Sequence, residues 1–296
     1  MGEDVTGGNK PLRLPPWLRV KTGKREQSQA TGRVIEARGL RTVCTSARCP
    51  NVGECYACGT ATFLILGGQC TRRCGFCAVP GGTPGPLDPT EPERVAQAVR
   101  EMGLKYAVVT SVTRDDLPDG GAGHFAATIE AIHRAMPETP VEVLTPDFLG
   151  DREALATVLK AEPTVFNHNV ETVRRLQATV RPEADYERSL GVLRAAGEIA
   201  PGIPRKSGLM VGLGETDEEI REALADLNRA GVSLVTLGQY LAPTRRHLAV
   251  QRYVPPEQFD EYARWGREMG IRFVAAGPFV RSSYRAGEHP TPAPPL

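Results

Sequence analysis

The sequence predicts an α/β fold, a partial (β/α)6 TIM-type barrel with N- and C-terminal extensions. Three observations carry that expectation. Six short runs rich in β-branched residues are each followed by a helical pattern, and such alternation demands parallel strands joined by helical crossovers. These runs are near-continuously apolar, as in a sheet whose outer face is covered. A chain of 296 residues is near the upper limit of a single hydrophobic core, so one large domain is expected rather than two.

Residues 1–30, MGEDVTGGNKPLRLPPWLRVKTGKREQSQA, lack periodicity and place Arg13, Arg19, Lys21, Lys24 and Arg25 around Trp17, which predicts an arm lying over the body. Residues 31–62 lead into the barrel, expected over 63–270. There TFLILGGQC precedes the helix PERVAQAVREMG, YAVVTSV precedes HFAATIEAIHRAM, and VEVLTPD precedes REALATVLKA. Then TVFNHNV precedes ETVRRLQ and YERSLGVLRAAGEI, RKSGLMVG precedes TDEEIREALADLNRAG, and LVTLGQY precedes PEQFDEYARWGREMG. In the C-terminal segment, 271–296, IRFVAAGPFVRSSY reads as an extra strand returning to the barrel mouth and AGEHPTPAPPL as a loose tail. Chemistry in such barrels sits at the C-terminal ends of the strands, so the residues just beyond each strand matter most.

Thirty-six basic and thirty-five acidic residues leave a net charge of +1, which points to neither nucleic acid nor a membrane surface. The N-terminus lacks the basic-then-apolar order of a signal peptide, and the longest apolar runs fall far short of the roughly 20 residues of a membrane helix. A soluble, cytoplasmic protein is expected. No G-x-S-x-G, G-x4-G-K-[ST] or H-E-x-x-H motif occurs, which removes the commonest hydrolase, triphosphatase and metalloprotease readings.

All seven cysteines lie within residues 44–77, six of them as two triads of different spacing. The odd count and the chain length argue against a disulfide framework, and in a reducing compartment clustered cysteines read as metal ligands. Cys70, Cys74 and Cys77, spaced C-x3-C-x2-C, are too compact for a closed zinc site and one thiolate short of a four-cysteine set. Three soft thiolates suit an iron-sulfur cluster with one open iron; a structural zinc with a distant fourth ligand is the bland alternative. Cys44, Cys49 and Cys55, spaced C-x4-C-x5-C, supply a second open set, and Cys58 is left over.

The C-x3-C-x2-C motif, with Phe76 before its last cysteine, resembles the radical S-adenosylmethionine (SAM) superfamily. The resemblance implies that the open iron chelates the methionine moiety of SAM and that the reduced cluster cleaves SAM to a 5′-deoxyadenosyl radical. GLMVGLGE, with Gly208, Gly212 and Glu215, is similar to the superfamily's element beside the adenosine. NHNVE, with Asn167, Asn169 and Glu171, is similar to its ribose-binding strand end, and Thr110 and Ser111 sit where the amino group is bound. Apart from the resemblance, the glycines equally suit close packing or turns.

Together, the first triad, PNVGEC, GTATF, CTRRCGFC, TSVTRDDLPDGGA, FNHNVET, KSGLMVGLGE, LGQYLAPT and RSSY resemble the lipoyl synthase family over residues 11–287. This implies two [4Fe-4S] clusters, with SAM as cosubstrate; the second, auxiliary cluster is held by Cys44, Cys49, Cys55 and one serine of RSSY. Neighbouring side chains of an extended segment point to opposite faces, so Ser282 or Ser283 is the ligand, not both. The implied reaction inserts sulfur at C6 and C8 of an octanoyl chain on a lysine of a lipoyl carrier protein, a lipoyl domain or glycine cleavage H protein. The auxiliary cluster is consumed as sulfur donor. Those carbons bear no acidic proton, so general-base catalysis is excluded and radical hydrogen abstraction remains. A ferredoxin or flavodoxin as electron donor and cluster-assembly proteins are further implied partners.

Several residues stay open. Cys58 and Tyr56 stand where the family has other residues; Cys55 and Cys58 form a C-x2-C pair, although Cys55 keeps the family spacing. The basic arm either steers an acidic carrier or is a solvated tail. Arg72 and Arg73 either offset the cluster's charge or lie at the surface, Lys206 is a candidate polar site contact, and His168 and His247 read as hydrogen-bonded structural residues. The rival readings are another radical SAM sulfur-inserting enzyme, such as a biotin synthase or methylthiotransferase, and a zinc-binding interaction module. The RSSY end and the N-terminal place of the auxiliary triad argue against the first.

Overall fold

The computed structural model describes residues 13–19, 25–58 and 60–288. Three helices precede the barrel: α1 (Arg25–Ala37), α2 (Val43–Ser46) and α3 (Val52–Ala57). Residues 25–30, expected as aperiodic arm, therefore belong to a helix. Its apolar contacts come late, at Val34 and Ile35, and its hold is tertiary: it packs on α3, where Thr31 Oγ1 donates to the Tyr56 carbonyl at 2.7 Å. Arg13 and Arg19 are exposed beside buried Leu18, whereas Lys21 and Lys24 lie outside the described residues. Of the expected loose tail, Ala286–Glu288 form a 3-10 turn and 289–296 lie outside the described residues.

The barrel follows as β1 (Thr62–Ile65), α4 (Glu91–Glu101), β2 (Ala107–Ser111), α5 (Ala122–Ala135), β3 (Val141–Leu144), α6 (Arg152–Lys160) and β4 (Val165–Asn167). It continues with α7 (Gln177–Val180), α8 (Tyr186–Ile199), β5 (Arg205–Val211), α9 (Asp217–Arg229), β6 (Leu234–Gln239), α10 (Pro256–Glu268) and β7 (Phe273–Gly277). All seven strands pair in parallel in chain order, so the six expected units are present and the last apolar run is a full strand on β6. ETVRRLQ, expected as one helix, is a 3-10 turn running into α7. Local signals start the long helices: Thr216 and Glu219 form a capping box on α9, and Asp151 and Asp185 cap α6 and α8.

Among the described residues no ladder joins β7 to β1, so the barrel is open on that side. The N-terminal segment covers the free edge of β1: Thr42 bridges Phe63, and Leu64 N–H donates to the Arg41 carbonyl at 2.9 Å. The C-terminal segment reaches the same opening, where Thr62 meets Ser283. Ile35, Leu40, Cys44 and Tyr56 share one apolar cluster with Phe63, Ile65, Val95 and Val109, so the N-terminal segment is packed into the barrel core. Each buried Ile, Leu, Val or Phe of that cluster stabilises the fold by roughly 1.5–3 kcal/mol relative to exposure. No helix among the described residues is long and apolar enough to cross a membrane.

Candidate active site

One cavity of about 470 Å³ runs from the upper strand ends to the lateral opening, and all six triad cysteines line it. Cys70, Cys74 and Cys77 follow β1, while Cys44, Cys49 and Cys55 come from α2, the turn after it and α3. Phe76, Thr110, Ser111, Asn169, Glu171, Gly208, Ser282 and Ser283 line the same space. Cys58 is exposed and does not line it.

Burial raises the pKa of Cys44 and pushes Cys55 up to about 12, with neighbouring thiols of the same triad adding to the shift. Burial likewise pushes Cys74 up to about 12 and Cys77 to about 11. Such thiols stay protonated until a cation compensates them, and metal binding expels those protons. Among the described residues no three His, Cys, Asp or Glu side chains converge as they would on a single ion. Two open sets of three soft donors on one cavity fit iron-sulfur clusters.

The loop of the second triad is fixed from outside. Cys70 Sγ accepts from Thr113 N–H at 3.3 Å, Gly75 N–H donates to the Val180 carbonyl at 2.9 Å, and His247 Nε2 donates to the Cys77 carbonyl at 3.0 Å. Arg72 points away from the cysteines. It pairs with Asp115 at 2.7 Å and with fully buried Asp147 at 2.7 Å, so it ties the loop to the ends of β2 and β3 rather than offsetting cluster charge. Asp147 also binds Arg188 at 2.7 Å, and these guanidinium groups hold its carboxyl well below the usual range despite burial. Arg73 is exposed.

The opposite wall carries unsatisfied polar atoms. Ser111 Oγ, Thr145 Oγ1, His168 Nε2 and Asn169 Oδ1 are buried without a hydrogen-bond partner, and their residues line the cavity. Such groups cost free energy unless a ligand engages them. His168 donates from Nδ1 to the Thr145 carbonyl at 2.9 Å, which leaves Nε2 a bare acceptor. Burial, then the Arg181 charge, lowers its pKa to about 4 and keeps it neutral. Gly208 is a cradle: a Cβ there would lie 2.8 Å from Asn169 Oδ1 and 3.0 Å from Ser282 Oγ.

Four expected site residues, Asn167, Gly212, Glu215 and Lys206, are not brought to the cavity. Asn167 turns its amide to Glu142 at 3.3 Å. Glu215 accepts from the backbone N–H of Gly212 at 2.5 Å and of Leu213 at 2.9 Å, so it holds its own turn. Gly212 has φ 100°, and a Cβ there would meet the Arg252 carbonyl at 2.5 Å. Lys206, on β5, pairs with Glu142 in the barrel interior. Arg181 is a site residue that sequence reasoning misses; it donates to the Asn169 carbonyl at 3.0 Å and its charge reaches Cys74 and Glu171. No motif marks it, because its neighbours in VRPEAD are ordinary turn residues.

The two serines face different partners. Ser282 Oγ accepts from Asn169 Nδ2 at 2.7 Å, and that amide also reaches Glu171 at 3.0 Å. Ser283 Oγ accepts from Thr62 Oγ1 at 2.7 Å, and Thr62 lies near enough to the Cys44 thiol to oppose the rise that burial gives its pKa.

A model of the radical SAM superfamily matches residues 64–227, more than half of the chain. A lipoyl synthase from Methylococcus capsulatus is 54% identical over 94% of this chain and 87% of its own length. Lipoyl synthases from Rubrobacter xylanophilus (55% identical, 93% of this chain, 85% of theirs) and Thermus thermophilus (56%, 92% and 85%) match as well. The chain belongs to the lipoyl synthase family. It is thus a radical SAM enzyme that inserts sulfur, for which SAM and an iron-sulfur cluster are required. Solved structures show the same fold. Streptococcus suis SuiB bound to S-adenosylmethionine superposes with TM-score 0.57 at 12% identity over 72% of this chain, which spans 49% of SuiB. The hydrogenase maturase HydG superposes with TM-score 0.55 at 16% identity over 73% of this chain and 56% of its own. Both illustrate how a lipoyl synthase family member shares its barrel with enzymes of other kinds.

Proposed function

We propose that this chain inserts two sulfur atoms, at C6 and C8 of an octanoyl chain amide-linked to a lysine of a lipoyl carrier protein. The reading rests on one observation before all others: both cysteine triads line a single cavity. Cys70, Cys74 and Cys77 would hold the cluster that works with SAM, and Cys44, Cys49 and Cys55 an auxiliary [4Fe-4S] cluster whose sulfur is a substrate. When bound and reduced, the first cluster with SAM supplies a 5′-deoxyadenosyl radical able to take hydrogen from carbons that no general base can ionise.

The residues of the chain position and exclude. Ser111, Asn169 and His168 Nε2 offer unsatisfied atoms for the polar groups of SAM, and Glu171 and Arg181 supply charge on the same wall. Gly208 leaves room beside them. Ser283, through Thr62, stands on the Cys44 side and is assigned as the oxygen ligand of the auxiliary cluster, whereas Ser282 serves the Asn169 side. A hard oxygen donor is the weakest tie in a thiolate cage, which suits a cluster that must come apart. The cavity's walls keep competing hydrogen donors from the radical and hold the acyl carbon between oxidant and sulfur. An electron donor such as a ferredoxin or flavodoxin and cluster-assembly proteins complete the cycle.

Anaerobic incubation with SAM, dithionite and an octanoyl-lysine carrier peptide tests this. Mass spectrometry should show a peptide carrying two new sulfurs; SAM turnover with no sulfur in the peptide would overturn it.

A further inference from the structure

We propose that Glu54 and Asn51 are positioning residues for the sulfur-donating site, clamping both sides of the turn that carries Ser283 onto the helix that carries Cys55. The inference rests on the two-cluster reading of the cavity.

The cage proposed for the auxiliary cluster is assembled from two chain segments more than two hundred residues apart, so something must set their separation. Asn51 stands at the N-cap of α3, where its side chain would ordinarily accept from the helix's own first turn. It makes no such cap. Instead its Nδ2 donates to the Phe279 carbonyl at 2.7 Å, and the residue is 3% exposed. On the far side of the serines, Tyr284 OH donates to Glu54 Oε1 at 2.9 Å and Arg285 pairs with the same oxygen at 3.3 Å. Glu54 immediately precedes Cys55. Residues 279 and 284–285 therefore bracket Arg281, Ser282 and Ser283, and both brackets end on residues 51–54.

The turn also lies flat on β6: a Cβ at Gly238 would come within 2.0 Å of the Val280 carbonyl. Pinned at three places, the Ser283 hydroxyl has little freedom to leave Thr62. Release of either bracket lets the oxygen donor swing out while the three cysteines stay in place. The clamp on Glu54 is half-exposed, with 38% of the Glu54 side chain and 55% of Arg285 accessible, whereas the Asn51 end is buried. The Glu54 end is thus the one that opens first.

The test uses the anaerobically isolated holoenzyme and follows iron release to an excess of chelator. Two four-iron clusters amount to about eight irons per chain, and those at the second triad serve as internal control. Glu54→Ala should lose about half of its iron roughly tenfold faster than the unmodified enzyme, the remainder leaving at the original rate. Glu54→Gln keeps an amide oxygen for Tyr284 and should restore slow release. Tyr284→Phe removes one hydroxyl without touching α3, so it reports even if Glu54→Ala fails to fold, and it should accelerate release in the same way. If Glu54→Ala or Tyr284→Phe holds all its iron at the unmodified rate, the clamp has no such role. A starting content of about four irons would instead remove the two-cluster reading and the inference with it.

Discussion

Lys206 Nζ lies 2.8 Å from Glu142 Oε1 inside the barrel, with 0% and 1% of the two side chains exposed. Tyr106 donates its hydroxyl to Glu142 Oε2 at 3.0 Å, and Asn167 reaches Oε1 at 3.3 Å, so the carboxylate is paired as well as hydrogen-bonded. Removing one member of such a pair leaves an uncompensated buried charge, which typically costs about 3–5 kcal/mol. Lys206→Met should accordingly lower unfolding free energy by that amount, measured by urea denaturation. Replacing both partners, Lys206→Met with Glu142→Leu, should recover much of the loss. A double variant no better than the single would show that the pair is not the source of the effect.

The two triads should be separable by their iron. Cys70→Ala is expected to abolish SAM cleavage to 5′-deoxyadenosine. Cys49→Ala should still cleave SAM, hold about four fewer irons and form no sulfur-bearing product. Lipoyl product from the Cys49 variant would contradict the sulfur-source role of the first triad.

Ser282 and Ser283 should divide in the same manner. Ser283→Ala is expected to lose auxiliary iron on gel filtration and to make no two-sulfur product, because its hydroxyl is the one held by Thr62, the neighbour of Cys44. Ser282→Ala should keep that iron and bind SAM roughly tenfold more weakly, since Asn169 loses its acceptor. Equilibrium dialysis of SAM together with iron counts distinguishes the pair; a reversed pattern would exchange their roles.

His168 should make stability depend on pH. Its folded pKa is lowered to about 4 by burial and by the Arg181 charge, whereas an unfolded histidine titrates near 6.5. Asp147 works in the opposite direction and Arg72 in the same one, and both are included in that shift. Between those values the unfolded chain binds more protons than the folded one, so stability is full above pH 6.5 and falls as pH drops toward 4. The slope from this group approaches about 1.4 kcal/mol per pH unit. Urea midpoints compared at pH 7 and pH 5 should show the decline in the native sequence and a smaller one in His168→Gln.

The legibility of the fold tracks the length of the correlations involved. The strand-helix alternation repeats every few tens of residues, and the caps at Thr216, Asp151 and Asp185 are local chemistry, so the six units can be read directly from the chain. Helix α1 is not legible in the same way, because its first residues are polar and its order comes from packing on α3. Asn167 and Glu215 match a motif yet turn elsewhere, since a motif marks a strand end without specifying which neighbour its side chain will meet.

By itself the sequence determined that six cysteines form two open triads and that one of them follows the first strand of a parallel barrel, because spacing and periodicity are properties of neighbouring residues. Only the tertiary structure decided that both triads open on one cavity and that Arg72 faces Asp115 and Asp147. It also separated the surroundings of the two serines. Those outcomes depend on contacts such as Thr62 with Ser283 and Asn51 with Phe279, 221 and 228 residues apart. Which side chains meet across such distances is set by how the barrel, among the described residues, leaves its β1–β7 side open to the segments around Asn51 and Ser283.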